Sequence, residues 1–322
     1  MFAVYANGFS TKDPLSGLAL GERPDPVAPG GWTTVTVKAA ALNHHDLWTL
    51  RGVGLAEDRL PMILGCDAAG IAENGEEVVI HSVISDAGWR GDETLDPKRT
   101  LLSERHQGTL AERVTVPEGN LVAKPAGLSF EEAACLPTAW LTAYRMLFSQ
   151  AALKPGDSVL VQGAGGGVAT ALISLASAAG MRVYATSRDP VKRERAVEIG
   201  AQAALDGGER LPERVDAVME TVGAATWSHS IKSLRPGGTV VICGATSGPN
   251  PDNAELTRIF FLQLRIQGST MGTRQELREL VTFLDVTGRR PLIDRTLPLA
   301  EARKGFEAMA AGDVFGKIVF TP

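Results

Sequence analysis

The sequence predicts an α/β protein in which a β-rich, barrel-forming segment precedes a doubly wound parallel sheet. Three observations carry that expectation. The first 120 residues hold short β-like runs parted by Gly and Pro. Beyond Pro125, apolar strands alternate with helical segments. One of those strands runs into Gly163-Ala164-Gly165-Gly166-Gly167 just before a helix opens. Strands joined by helical crossovers form a parallel sheet covered on both faces.

Taken in order, Thr33–Ala40 alternates apolar and polar residues, Val78–Ile84 is apolar, and Arg113–Val116 follows Gly108. Turn-rich stretches at Gly21–Gly31 and Gly88–Pro97 punctuate these runs, the pattern of a compact barrel. The polar stretch Ile84–Gln107 reads as an exposed excursion over it. Ser129 with Glu132 three residues on has the spacing of a capping box. Strands are expected at Ser158–Gln162, Arg182–Thr186, Ala203–Leu205, Val215–Met219, Thr239–Cys243 and Leu264–Gly268. Helices are expected at Val168–Ala179, Pro190–Ile199 and Ala225–Ser233. The chain closes with helical patterns over Arg274–Thr287 and Leu299–Gly312 and a strand at Lys317–Phe320.

Composition bounds the function. A chain of 322 residues suggests about two domains. With 44% hydrophobic and 21% charged residues it can bury a sizeable core. The net charge of -5 provides no general field for nucleic acid, and the basic run Arg188–Arg195 suits a helix face or a phosphate pocket. Cys66, Cys135 and Cys243 are widely spaced, which argues against a disulfide framework and for a reducing, cytoplasmic setting. No stretch approaches 18 uninterrupted apolar residues, and the N-terminus lacks the pattern of a signal peptide, so no membrane association is expected.

The run from Val159 to Gly180, VLVQGAGGGVATALISLASAAG, is the strongest local signal. Glycines let a loop turn tightly and bring backbone N–H groups against a pyrophosphate, and the following helix adds its own unpaired N–H groups. Val168 takes the sixth place of a strict G-x-G-x-x-G; with one extra residue in the turn, Ala169 takes the close-packing place instead. Gly163, Gly165, Gly166, Gly167 and Val168 are therefore expected to hold a dinucleotide, the alternative being a merely tight turn. The second strand runs out into Thr186-Ser187-Arg188, with Lys192 one turn later. A hydroxyl, a guanidinium and an ammonium suit a 2′-phosphate, which points to NADPH. Asp189 keeps NADH open, since it becomes a ribose acceptor if the strand ends two residues later.

Together these segments resemble the medium-chain dehydrogenase/reductase superfamily, especially its zinc-independent, quinone-oxidoreductase-like branch. The resemblance spans nearly the whole chain through ALNHHDLWTLRG (Ala41–Gly52), LPMILGCDAAG (Leu60–Gly70), GTLAERVTVP (Gly108–Pro117), LSFEEAACLPTAWLTAYRML (Leu128–Leu147), LKPGDSVLVQGAGGGVA (Leu153–Ala169) and GKIVF (Gly316–Phe320). It implies a GroES-like β-barrel catalytic domain over residues 1–126, completed by 269–322, and a Rossmann domain over 127–268. It also implies a homodimer paired through the last Rossmann strand. Zinc-binding relatives carry a Cys where this chain has Asn43, a Gly-His-Glu where it has Gly65-Cys66-Asp67, and a third ligand near Thr138. Cys66 and Asp67 are too few for tight catalytic zinc, and the four-Cys structural lobe is absent, so no metal is expected.

The resemblance then implies NADPH-dependent reduction of quinones or α,β-unsaturated carbonyl compounds. An alcohol or aldehyde dehydrogenase, or an NADPH-binding protein with little turnover, stands as the alternative. Asn43 is implied as a hydrogen-bonding group for substrate or cofactor ribose, or a turn residue. His45 is implied as the proton donor, or a solvated His; Thr142 is implied beside the nicotinamide, or bonded to its own helix. Val222, Gly244, Ala245, Thr270 and Met271 follow later strands and are expected to line the cofactor, with Lys317 reaching in from the last strand. Cys66 reads as a buried small residue, or as a thiol open to alkylation by enones.

Overall fold

The computed structural model describes residues 1–322. Contacts divide the chain into two compact units, Met1–Leu141 with Gly272–Pro322, and Thr142–Met271. The limits expected from the sequence were 126/127 and 268/269. The helix Phe130–Ala134 packs on strands Trp32–Ala41 and Asp67–Ala72 and so stays with the first unit. Ser269 donates its N–H to the Ile242 carbonyl at 2.8 Å, which carries the second unit past residue 268.

The first unit is built around the ten-residue strand Trp32–Ala41. Its β-branched and small residues suit a pleated surface. It pairs antiparallel with Arg113–Pro117 along one stretch, with Asp67–Ala72 along the other, and at its end with Lys317–Thr321. That last strand also pairs in parallel with Ile293–Pro298, so the C-terminal segment completes the N-terminal sheet. Its residues Lys317 to Phe320 are all buried, and Phe320 stacks on Phe306 with centroids 6.4 Å apart. Leu42, Leu50, Leu64, Leu102 and Leu110 fill the same core. The apolar run at Val78–Ile84 is interrupted at His81-Ser82, giving strands Glu77–Ile80 and Val83–Ile84.

The polar stretch after Ile84 is exposed only in part, at Asp86–Gly88, Arg90, Gly91 and Pro97–Arg99 among others. Glu93, Thr94, Asp96, Leu102 and Ser103 in it are buried. Its polar side chains satisfy its own backbone: Asp96 accepts the N–H groups of Asp86 at 2.7 Å and Lys98 at 2.8 Å. Arg274 adds an ion pair to Glu93 at 2.7 Å. Carboxylates that accept backbone N–H groups let such a segment bury without leaving orphaned donors.

The second unit is a six-stranded parallel sheet. Its spatial order is Ala203–Leu205, Arg182–Thr186, Ser158–Val161, Val215–Glu220, Leu234–Ile242 and Arg265–Gly268. This is the doubly wound order, with the switch at Ser158–Val161. The helix Gly167–Ala178 buries Ala169 to Ala176. Against expectation the third crossover helix starts at Trp227, and the strand after it starts at Leu234. No helix is long and apolar enough to cross a membrane.

Close approach of two central strands generates a prediction. A Cβ on Gly70 would collide with the Thr36 carbonyl oxygen across the ladder and lie 2.9 Å from Val35 Cγ1. Gly70→Ala is expected to destabilise the chain by about 1–3 kcal/mol, the usual range for overpacking. A thermal melt with an unchanged midpoint would contradict this packing.

Candidate active site

The carboxyl ends of the parallel strands gather the residues expected to meet a dinucleotide. Gly163 follows Ser158–Val161, Ser187 and Arg188 follow Arg182–Thr186, and Val222 follows Val215–Glu220. Gly244 and Ala245 follow Leu234–Ile242, and Thr270 and Met271 follow Arg265–Gly268. Ligands of such sheets sit at this edge. Gly163 has φ +80, a conformation that favours glycine, and a Cβ there would lie 3.3 Å from Val222 Cγ2. Its N–H donates to Thr186 Oγ1 at 3.3 Å, which ties the glycine loop to the neighbouring strand.

Gly166 precedes the helix as its N-cap, with no side chain to accept from the first turn. The N–H groups of Gly167, Val168 and Ala169 thus keep the unpaired, positive character that binds anions. Ala169 is 3% exposed, so it holds the close-packing place. The fit to a pyrophosphate is good on all three counts.

The NADPH-or-NADH ambiguity turns on Asp189. Its Oδ1 accepts from Val191 at 2.9 Å and Lys192 at 3.4 Å, capping the helix Pro190–Glu198. The carboxylate is therefore engaged as a helix cap. The strand ends at Thr186 as read from the sequence, and Arg188 is exposed beside it. Lys192, half-buried, opens the helix that Asp189 caps.

In the first unit the register Ala41↔Asp67 brings Leu42–His45 beside Gly65–Asp67. Gly65 has φ +99, and its N–H donates to Asp46 Oδ1 at 2.9 Å, while Asn43 N–H donates to Asp46 Oδ2 at 2.9 Å. Asp46, fully buried, so fixes the turn and the start of the helix His44–Thr49 together. Burial raises its pKa, against the opposing pull of His45 and those two N–H groups.

Lys317 was expected to reach the cofactor. Its Nζ instead donates to Asn43 Oδ1 at 2.6 Å, the Leu42 carbonyl at 2.8 Å and Asp67 Oδ2 at 3.1 Å. Three acceptors use all three ammonium hydrogens. Asn43 Nδ2 donates to the same Asp67 oxygen at 2.8 Å, so the amide expected to face substrate or ribose is engaged at both ends. Lys317 is 2% exposed and Asp67 is 0%. No group of three or more His, Cys, Asp or Glu side chains is placed to hold a metal ion.

His45 lies in a second polar cluster. Its Nε2 is 3.0 Å from Glu104 Oε1, and its Nδ1 is 3.5 Å from both Cys66 Sγ and Ser103 Oγ. Burial, the largest single influence, lowers its pKa, but Cys66, Glu104 and Asp46 outweigh it and hold it well above 6.5. Glu104 and Ser103 were missed in the sequence because they lie in the stretch read as exposed. Thr142 is buried at 5% exposure on the short helical turn Leu141–Tyr144. Thr138 Oγ1 is buried with no hydrogen-bond partner, on a helical turn that packs against the strand Asp67–Ala72.

Comparison with known proteins agrees with this architecture. The family profile described as "Alcohol dehydrogenase GroES-like domain" matches residues 29–126, and the one described as "Zinc-binding dehydrogenase" matches residues 167–285. The second match excludes Asn43, Cys66 and Thr138, so its description does not bear on the metal positions. An acryloyl-coenzyme A reductase of Metallosphaera sedula is 29% identical, with 95% of this chain and 96% of that protein covered. A crystal structure described as an NAD-dependent alcohol dehydrogenase superposes with a TM-score of 0.92 at 34% identity, covering all of both chains. A crotonyl-CoA carboxylase/reductase in complex with NADP superposes with a TM-score of 0.89 at 25% identity, covering 100% of this chain and 94% of that one.

The His45 cluster predicts a titration. NMR of the imidazole should give a midpoint well above 6.5, and E104Q should move it down. The stabilisation this pairing gives is fully present below pH 6.5 and is lost as pH rises through the raised folded-state value. A midpoint unmoved by E104Q would show that Glu104 does not hold the proton on His45.

Proposed function

The chain belongs to the medium-chain dehydrogenase/reductase superfamily, and from that premise we propose that it is an NADPH-dependent reductase of quinones or α,β-unsaturated carbonyl compounds that works without zinc. The buried Lys317 ammonium carries this reading. It sits against Asn43 and Asp67, so the positive charge beside Asp67 comes from the chain itself. Of the remaining metal positions, Cys66 has its sulfur on His45 and Ser103, and Thr138 offers a poor ligand. The residues present do not fit zinc.

NADPH supplies the hydride. The glycine loop and the N-terminus of Gly167–Ala178 hold its pyrophosphate, while Ser187, Arg188 and Lys192 meet its 2′-phosphate. Val222, Gly244, Ala245, Thr270, Met271 and Thr142 complete the cofactor's surroundings. Hydride addition to a conjugated carbonyl delocalises the charge, so this reaction does without the metal that stabilises an alkoxide. His45, whose pKa its neighbours hold well above 6.5, provides the proton that follows. The acryloyl- and crotonyl-CoA reductases among the similar proteins support activated double bonds as the substrate class, and the NADP complex supports the cofactor. The similarity to an NAD-dependent alcohol dehydrogenase supports a second reading, oxidation of simple alcohols with NAD.

NADPH oxidation followed with quinones, enones, enoyl thioesters, aldehydes and ketones separates the two. Turnover of the conjugated acceptors with NADPH is expected; turnover confined to simple alcohols with NAD would overturn the proposal. Arg188→Ala should raise KM for NADPH by about tenfold or more, the worth of one charge-assisted hydrogen bond, and leave NADH nearly unaffected. We also propose a homodimer. Arg265–Gly268 is an edge strand whose four residues are all exposed, and Phe260 and Phe261 beside it are 69% and 77% exposed. Light scattering should find a dimer that Ile266→Lys converts to monomer; a monomeric wild type would exclude it.

A further inference from the structure

The cluster around Cys66 has the parts of a nucleophilic site: a thiol, an imidazole against it, and a carboxylate on the far side of that imidazole. The order is Cys66 Sγ, 3.5 Å to His45 Nδ1, then His45 Nε2, 3.0 Å to Glu104 Oε1. A base within reach of a nucleophile and oriented by a third group is the arrangement that activates Ser and Cys nucleophiles. Ser103 Oγ lies 3.5 Å from the same sulfur and can donate to it once it is anionic. Ser103 itself has φ +65 and is fully buried, a strained conformation for a residue other than glycine.

Three elements converge to build the cluster. The helix His44–Thr49 brings His45, the turn before Asp67–Ala72 brings Cys66, and the loop after Thr100–Leu101 brings Ser103 and Glu104. The thiol is 2% exposed, but the His45 and Glu104 side chains in front of it are 21% and 24% exposed. With the sulfur so covered, a small electrophile reaches it more readily than a bulky one. The other two thiols lack a base: burial pushes Cys135 and Cys243 up to about 12, so neither competes near neutral pH.

We infer that Cys66, His45 and Glu104 form a nucleophilic thiol site that takes small α,β-unsaturated carbonyl compounds as covalent ligands. In its neutral form His45 takes the thiol proton, and Glu104 stabilises the imidazolium that results. The sulfur then forms a bond to the β-carbon as the carbon–carbon π bond breaks, and the electron pair passes to the α-carbon and carbonyl oxygen. The imidazolium returns its proton to the α-carbon. One S–H and one C=C become one C–S and one C–H, so no oxidant or reductant is consumed. The choice of electrophile rests on the proposed reductase reading. The chemistry needs no NADPH, and its consequence is self-limitation: in the absence of reduced cofactor, a substrate of this class blocks the enzyme.

Incubation of the full chain with methyl vinyl ketone in the absence of NADPH, followed by peptide mapping by mass spectrometry, tests this. Cys66 should be alkylated first, and His45→Gln should slow that alkylation by about 100-fold, the usual worth of a positioned base. Glu104→Gln should slow it less and shift its pH profile, which a merely structural role would not do. First modification at Cys135 or Cys243 in the wild type would overturn the site. So would a Cys66 rate unchanged in a His45→Gln protein that still binds NADPH. NADPH turnover plays no part in the readout, so alkylation at Cys66 with no reductase activity would sink the function proposed above and leave this site standing.

Discussion

The buried contact of Lys317 with Asp67 and Asn43 is the interaction on which the first unit depends. Taking an ammonium and a carboxylate out of water costs several kcal/mol each, so they persist only with full hydrogen bonding. Lys317 meets that condition through three acceptors, whereas Asp67 accepts from Lys317 and the Asn43 amide at Oδ2 alone, and its buried Oδ1 has no partner. Removing one partner of such a pair typically costs about 3–5 kcal/mol, because the other charge is left uncompensated. The contact can form only if the C-terminal strand lies against the end of Trp32–Ala41, as the pairing Val319↔Ala41 requires. The charge pair and the closing strand therefore specify each other: residues 250 positions apart in the chain meet at one atom pair.

The same end of the sheet then carries two basic side chains in different surroundings. Lys317 is sealed, with every ammonium hydrogen donated to the protein, and contributes a fixed charge. His45 is only partly covered, and Cys66, Glu104 and Asp46 hold its pKa well above 6.5. Asp46 couples the two, since its carboxylate anchors both the Asn43 backbone and the Gly65 turn that precedes Cys66. A displacement of Asp46 would disturb the Lys317 contact and the His45 cluster at once.

Much of the second unit was legible in the sequence, because its signals are local. A strand, a glycine run and a helix follow one another within Val159–Gly180, and the order of apolar runs dictated the parallel sheet. The boundary at Trp227 was missed because residues 223–226 form a turn held by Glu220, which accepts the N–H groups of Val222 and Gly223. The first unit was less legible. Its partners are far apart in sequence, so nothing near Lys317 announces Asp67, and nothing near His45 announces Glu104. Polarity also misled: Ile84–Gln107 looks solvated by composition, yet Asp96 and Glu93 are buried because they accept the segment's own N–H groups and Arg274.

In the proposed function the chain's own ammonium, and no metal, supplies the positive charge at Asp67. Isothermal titration calorimetry of zinc into the untagged full chain tests it most directly. No saturable binding is expected, because Lys317 already engages Asn43 and Asp67 and Cys66 is turned to His45. A tight one-to-one isotherm that vanishes in Asp67→Asn would contradict it.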